Sequence, residues 1–168
     1  MAISMYRASI PVFVRYLNAL SAILTKAGDY CATKKVEPAV LAATRLTPDM
    51  FALARQVQIA TDHAKGATAR LSGTEVPSFA DTETTLEALQ ARIAKTLDFI
   101  QSVKPEAFEG SDDKDIELKA GPQVLHFKGE AYLTSFALPN FFFHLTTAYA
   151  ILRQAGVEVG KKDFLGRN

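Results

Sequence analysis

His144 is the residue that asks most of its surroundings. It shares a helical run with Ala137, Phe141, Ala148, Ile151 and Ala155, in steps of four and three, which sets an imidazole in the middle of a core-facing seam. A desolvated ring nitrogen without a partner costs about 1–3 kcal/mol, so polar groups must converge on it. Asn140, one turn earlier, projects from nearly the same face. His63 belongs to another helical pattern, about 60–80° from the centre of that helix's apolar stripe, and Gln56 shares its flank. Where the two helices are neighbours, Gln56, His63, Asn140 and His144 form one polar cluster. Three chemistries suit these residue types: a hydrogen-bonded core histidine with amide partners and an exposed His63, a small-ligand pocket, or a divalent-metal site.

The metal chemistry is short of ligands. Zinc usually takes three or four Cys, His or carboxylate ligands, and only two histidines converge, with Asn140 a weak third. No metal or other cofactor is expected; an ion such as zinc or nickel, if held, would rest on His63, His144 and Asn140. His126 alternates with Leu125 and Phe127 in an expected strand and so faces away from the core. Asp62 lies almost opposite the apolar stripe of its helix and reads as a solvated charge. Cys31 is alone, with no Cys-x-x-Cys pattern or neighbouring His to activate it. Asp113, Asp115 and Glu117 alternate like calcium ligands, but Leu118 stands where the loop needs Gly and Val124 where it needs Glu. Gly156 to Lys161 imitates a phosphate loop with the wrong spacing, no following Ser or Thr and no preceding strand. Spacing supports neither a carboxylate pair nor a Ser-His-Asp set.

These side chains must be positioned by helices. Ile10, Phe13, Leu17, Leu20, Leu24 and Ala27 step by three and four, with Gly28 as the expected stop and Pro11 either opening the helix or kinking it. A short helix is expected around residues 38–44. Thr47-Pro48-Asp49 then reads as the cap and first turn of helix two, whose stripe is Met50, Leu53, Val57, Ala60, Ala64, Ala67 and Leu71, closed by Gly73. Asp81 is the expected cap of helix three, which carries Leu86, Leu89, Ile93, Leu97 and Ile100 and ends at Pro105. From about 112 to 129 the spacing changes to alternation, predicting a β-hairpin turning near Ala120-Gly121-Pro122. The last helix, from about Glu130 to Gln154, is apolar nearly all round, which predicts that it is central. Pro139 should disturb its backbone near Asn140.

The fold class expected is therefore all-α, a four-helix bundle with a small hairpin between the third and last helices. One domain covers 1–168, with a docked tail over 157–168. Its 168 residues are 48% apolar and 22% charged, enough for one core. Nineteen basic residues against eighteen acidic leave no field to attract nucleic acid or an anionic membrane. Arg15 and Asn18 interrupt the apolar N-terminal run before it reaches the length of a membrane span. A cytoplasmic location is expected.

Three separated segments, TPDMFALARQVQIATD (residues 47–62), PNFFFHLTTAYAILR (139–153) and GVEVGKKDFLG (156–166), resemble a bacterial family of uncharacterised proteins, a domain of unknown function grouped with the DinB/YfiT-like bundles. The resemblance spans essentially the whole chain. It implies a four-helix bundle of up-down-down-up character, often a homodimer. Better-studied members of the wider superfamily are metal-dependent thiol transferases and isomerases, with one His on helix two and two His four apart on the last helix. Carried over, the ligands fall near His63 and on residues 140 and 144. The pair here is Asn140 and His144, so the implied triad lacks one histidine. The leading expectation is a non-metal ligand-binding or stress-associated bundle with a remnant pocket between helices two and four, its ligand unknown. A divalent-metal-dependent transferase or isomerase and a structural dimerisation module are the alternatives.

Overall fold

The computed structural model describes residues 3–166; the first two residues and the last two of the expected tail lie outside it. Helix α1 spans Met5–Lys34, with the Ser4 hydroxyl accepting the Arg7 N–H at 3.3 Å and Lys35 closing it at φ 57°. Pro11 therefore sits inside the helix, and Gly28 does not stop it. The stripe continues through Ala27 to Cys31, both buried, and that burial outweighs the roughly 1 kcal/mol penalty of a helical glycine. By length and mean hydropathy α1 also qualifies as a membrane-crossing helix, despite Arg15 and Asn18, but its apolar face is taken up by the core.

After the short α2 (Pro38–Ala42), α3 runs over Leu53–Ser72. The expected start at Thr47 is not used. The Thr47 hydroxyl is spent on Asp49 at 2.7 Å, the Met50 N–H bonds the Thr47 carbonyl, and the segment closes as a turn ahead of the helix. Gly73, at φ 77°, ends α3 as its position predicts. Helix α4 (Leu86–Ser102) is capped by Thr85, not Asp81, because Asp81 is engaged by two arginines. A 3₁₀ turn follows at Pro105–Phe108.

Strands β1 (Asp115–Ala120) and β2 (Gln123–Lys128) pair antiparallel within the expected interval, turning at Gly121 with φ 60°. Ile116 opposes Phe127 on the inner side, and His126 opposes Glu117 facing solvent. Gly129 then opens α5 (Gly129–Tyr132) against the preceding loop; a Cβ there would collide with the Ser111 carbonyl, so only glycine fits.

The chain continues through a π-helical turn, Leu133–Ala137, into α6 (Leu138–Gln154). The Leu138 N–H reaches the Leu133 carbonyl, and Pro139, which has no N–H to give, follows immediately. The expected backbone disturbance is thus a π turn just upstream of Asn140. Val157 and Val159 are buried, and α7 (Lys161–Phe164) docks the tail on α1 through Phe164 against Tyr16 and the Lys26–Asp163 ion pair.

Helix α3, not the last helix, is central. It packs on both α4 and α6, while α1 packs on α4 and meets α6 through edge-on pairs, Phe13 with Phe141 and Tyr16 with Phe142. Ala60, Ala64 and Ala67 are fully buried and let neighbouring helices approach closely. Helix α6 keeps an open side, where Phe143 is 55% exposed.

Candidate functional site

Beside its core stripe, α3 carries a second one: Gln56, Ile59, His63, Gly66 and Arg70, in steps of three, four, three and four. It borders a groove whose other wall is Phe136 of the π turn with Phe143 and His144 of α6, the buried Tyr132 lying at one end.

Gln56 is 1% exposed, and both ends of its amide are committed. Its Nε2 donates to the Phe51 carbonyl at 3.0 Å, and its Oε1 lies 2.7 Å from His144 Nδ1. A backbone carbonyl can only accept, so the amide nitrogen must face Phe51 and the amide oxygen His144. His144 therefore donates from Nδ1 and carries its lone pair on Nε2. Burial, then the Arg55 guanidinium, push its pKa below that of free histidine.

The His63 ring lies parallel to His144, with centroids 6.0 Å apart and planes 12° from each other, and meets Phe136 at 5.7 Å. Burial above all, then His144, lower its pKa to about 4 against an opposing pull from Asp62, with Arg70 adding the smallest downward push. Both imidazoles are neutral at neutral pH. His63 is half-buried, not exposed; its ring nitrogens make no hydrogen bond among the described residues, yet they keep contact with solvent.

The structure thus brings Gln56, His63 and His144 together. Among the described residues no hydrogen bond links Asn140 to them: its Nδ2 donates to the carbonyl of Phe136, one turn earlier, at 2.7 Å. Asp62 is likewise not a free charge. It bonds Arg92 Nη2 at 2.8 Å and Lys65 Nζ at 3.0 Å, on the flank facing α4. Arg92, 1% exposed in its side chain, also reaches Asp81, Glu83, the Thr61 hydroxyl and the Ala80 carbonyl. A basic residue one position from Ile93 on an apolar stripe was the sequence signal for that network.

A family model described as a domain of unknown function, DUF1993, matches residues 5–165. The chain belongs to the DUF1993 family. A crystal structure of a DinB family member from Shewanella denitrificans is 41% identical to it, with TM-score 0.89 over 96% of this chain and 92% of that one. No curated protein matches. The DUF1993 chain accordingly has the DinB-like bundle with its hairpin.

Does this DUF1993 site suit the metal its superfamily implies? The donor set falls short. His144 has one nitrogen left after Gln56, Asn140 offers only a neutral amide oxygen, and Asp62 is held by two cations. Among the described residues, no three His, Cys, Asp or Glu side chains gather where they would share an ion. Surface hollows of about 640 Å³ beside Glu130 and Thr134, about 530 Å³ beside Glu117 and His126 and about 510 Å³ beside Tyr30 and Glu158 lie elsewhere. Arg70 and Gly66 were missed in the sequence, although their place on the His63 stripe was legible.

Proposed function

We propose that this protein binds a small organic molecule in the groove between α3 and α6, using two neutral imidazoles and no metal. The observation that carries this reading is the Gln56–His144 hydrogen bond, whose geometry leaves the Nε2 lone pair of His144 as a fixed acceptor. The stacked His63 and the adjoining Phe136 add a flat, weakly polar wall of the kind that small-molecule sites use. A hydroxyl or N–H of the ligand would donate to His144, and its body would lie on the rings. Gln56 acts here as a positioning residue, since it sets which nitrogen of His144 is the acceptor.

Histidine-selective NMR tests the reading directly. The protein has three histidines, and His126, exposed on β2, serves as an internal control. A panel of small acids, bases and neutral aromatics at millimolar concentration should include compounds that shift His63 and His144 and leave His126 in place. A panel in which none does so, or in which all three move together, removes the proposal.

A further inference from the structure

Arg70 is the cation of the groove that has no acidic partner. Of the nearby cations, Arg92 and Lys65 are paired with Asp62 and Arg55 with Asp81, while Lys114 Nζ donates to the Arg70 backbone carbonyl at 3.0 Å and points its charge along the end of α3. Among the described residues Arg70 bonds only a neutral group through its side chain, donating from Nη1 to the Tyr132 hydroxyl at 3.2 Å. The guanidinium is half-buried and folds back along α3 toward His63, whose protonated form it disfavours.

Gly66 makes that position available. A Cβ on residue 66 would collide with Arg70 Nη1, so the guanidinium lies on bare backbone between the turns that carry His63 and Arg70. A glycine in the middle of a helix weakens it, and this one is buried with φ in the ordinary helical range. Its service is to the arginine.

From this placement we infer that the ligand is a small carboxylic acid with an apolar ring, and that Arg70 is the anchor for its carboxylate. This rests on the groove reading above. A guanidinium offers paired donors that match a carboxylate, and only one of its N–H groups is taken by Tyr132. The rings of Tyr132, Phe127 and Phe136 stand together beside it, with centroids 5.4–6.0 Å apart; Tyr132 is buried beneath, and the half-buried Phe127 and Phe136 provide the surface for an apolar body. The carboxylate beside His63, that of Asp62, is bound to Arg92 and Lys65 and so does not favour a cation there instead. An inorganic anion would use the arginine and leave the aromatic wall idle.

The probes are benzoate, its neutral counterpart benzyl alcohol, and inorganic phosphate, each titrated while the His63 resonances are followed with His126 as control. Benzoate should bind at least about tenfold more tightly than either of the others. Arg70→Gln should abolish that preference. Gly66→Ala should weaken benzoate by a similar factor while keeping the charge and without lowering the melting temperature, which separates loss of the anchor from loss of the fold. Equal binding of benzoate and benzyl alcohol, or benzoate binding untouched by Arg70→Gln, overturns the inference and leaves the groove reading standing. Phosphate binding as well as benzoate overturns the ring requirement. Silence of His63 and His144 toward all three, and toward the wider panel, removes both readings.

Discussion

Gln56 and His144 are tied across the α3–α6 interface by a 2.7 Å hydrogen bond whose direction is set by a third group, the Phe51 carbonyl. Replacing Gln56 by Leu keeps most of the volume and removes both bonds, stranding His144 Nδ1 and a backbone carbonyl. The expected loss is about 1–3 kcal/mol in denaturant unfolding, and the ¹⁵N shifts of His144 should move from a single tautomer to a mixture. His63→Ala breaks no hydrogen bond within the described residues and should cost less than Gln56→Leu, roughly 1 kcal/mol from lost ring contacts. A larger loss at His63 than at Gln56 contradicts this ranking.

Stability should fall on mild acidification because of the same pair. His63 titrates near 4 in the folded chain, below the roughly 6.5 of an unfolded histidine, so between those values the unfolded state binds more protons. Its contribution is whole above about pH 6.5 and is lost as the pH drops toward 4. Lowered in the same direction, His144 adds to the slope. For a half-buried ring the His63 effect is on the order of 2 kcal/mol. His63→Gln should flatten the pH profile between 6.5 and 4.5 relative to wild type. Parallel profiles for the two proteins would show that the imidazole is not held neutral.

Metal binding is checked on tag-free protein. Two imidazoles, one of them with a nitrogen already engaged, make a weak site, so zinc, nickel and manganese should each remain well below one equivalent after incubation and desalting. A full equivalent retained by wild type and lost in His144→Ala would restore the metal-dependent alternative.

The bundle was legible because burial imposes a repeat of three and four on every helix, and the hairpin because the repeat changes to two. The helix ends were less so. Thr47 and Asp81 have the side chains of good caps, yet Thr47 bonds Asp49, and Asp81 pairs with Arg55 of α3 and with Arg92 further along α4, partners that capping patterns do not name. Gly28 looks like a stop, but tertiary burial of Ala27 and Cys31 carries the helix past it. In the site, Gln56, His63 and His144 could be placed from spacing alone. Asn140 could not, since a backbone carbonyl four residues earlier competes for its amide, and Arg70 could not, since its path depends on Gly66 and on Tyr132 from a distant segment.

Arg92 carries the last prediction. Its guanidinium is almost wholly buried and bonded to Asp62, Asp81 and Glu83, while its carbon sits 5.6 Å from the Phe79 ring, over which Lys65 and Lys95 also lie at 4.2 Å. These contacts hold the connector between α3 and α4, which has no secondary structure of its own, against both helices. Arg92→Met leaves a cluster of carboxylates with too little positive charge, and the expected cost is about 3–5 kcal/mol. Arg92→Lys keeps the charge but cannot fork to several acceptors, so it should recover only part of that loss. In both variants the connector should become the first site of limited proteolysis under native conditions, while the His63 and His144 resonances keep their wild-type positions. Cleavage inside α3 before the connector would instead mean that Arg92 supports the central helix itself.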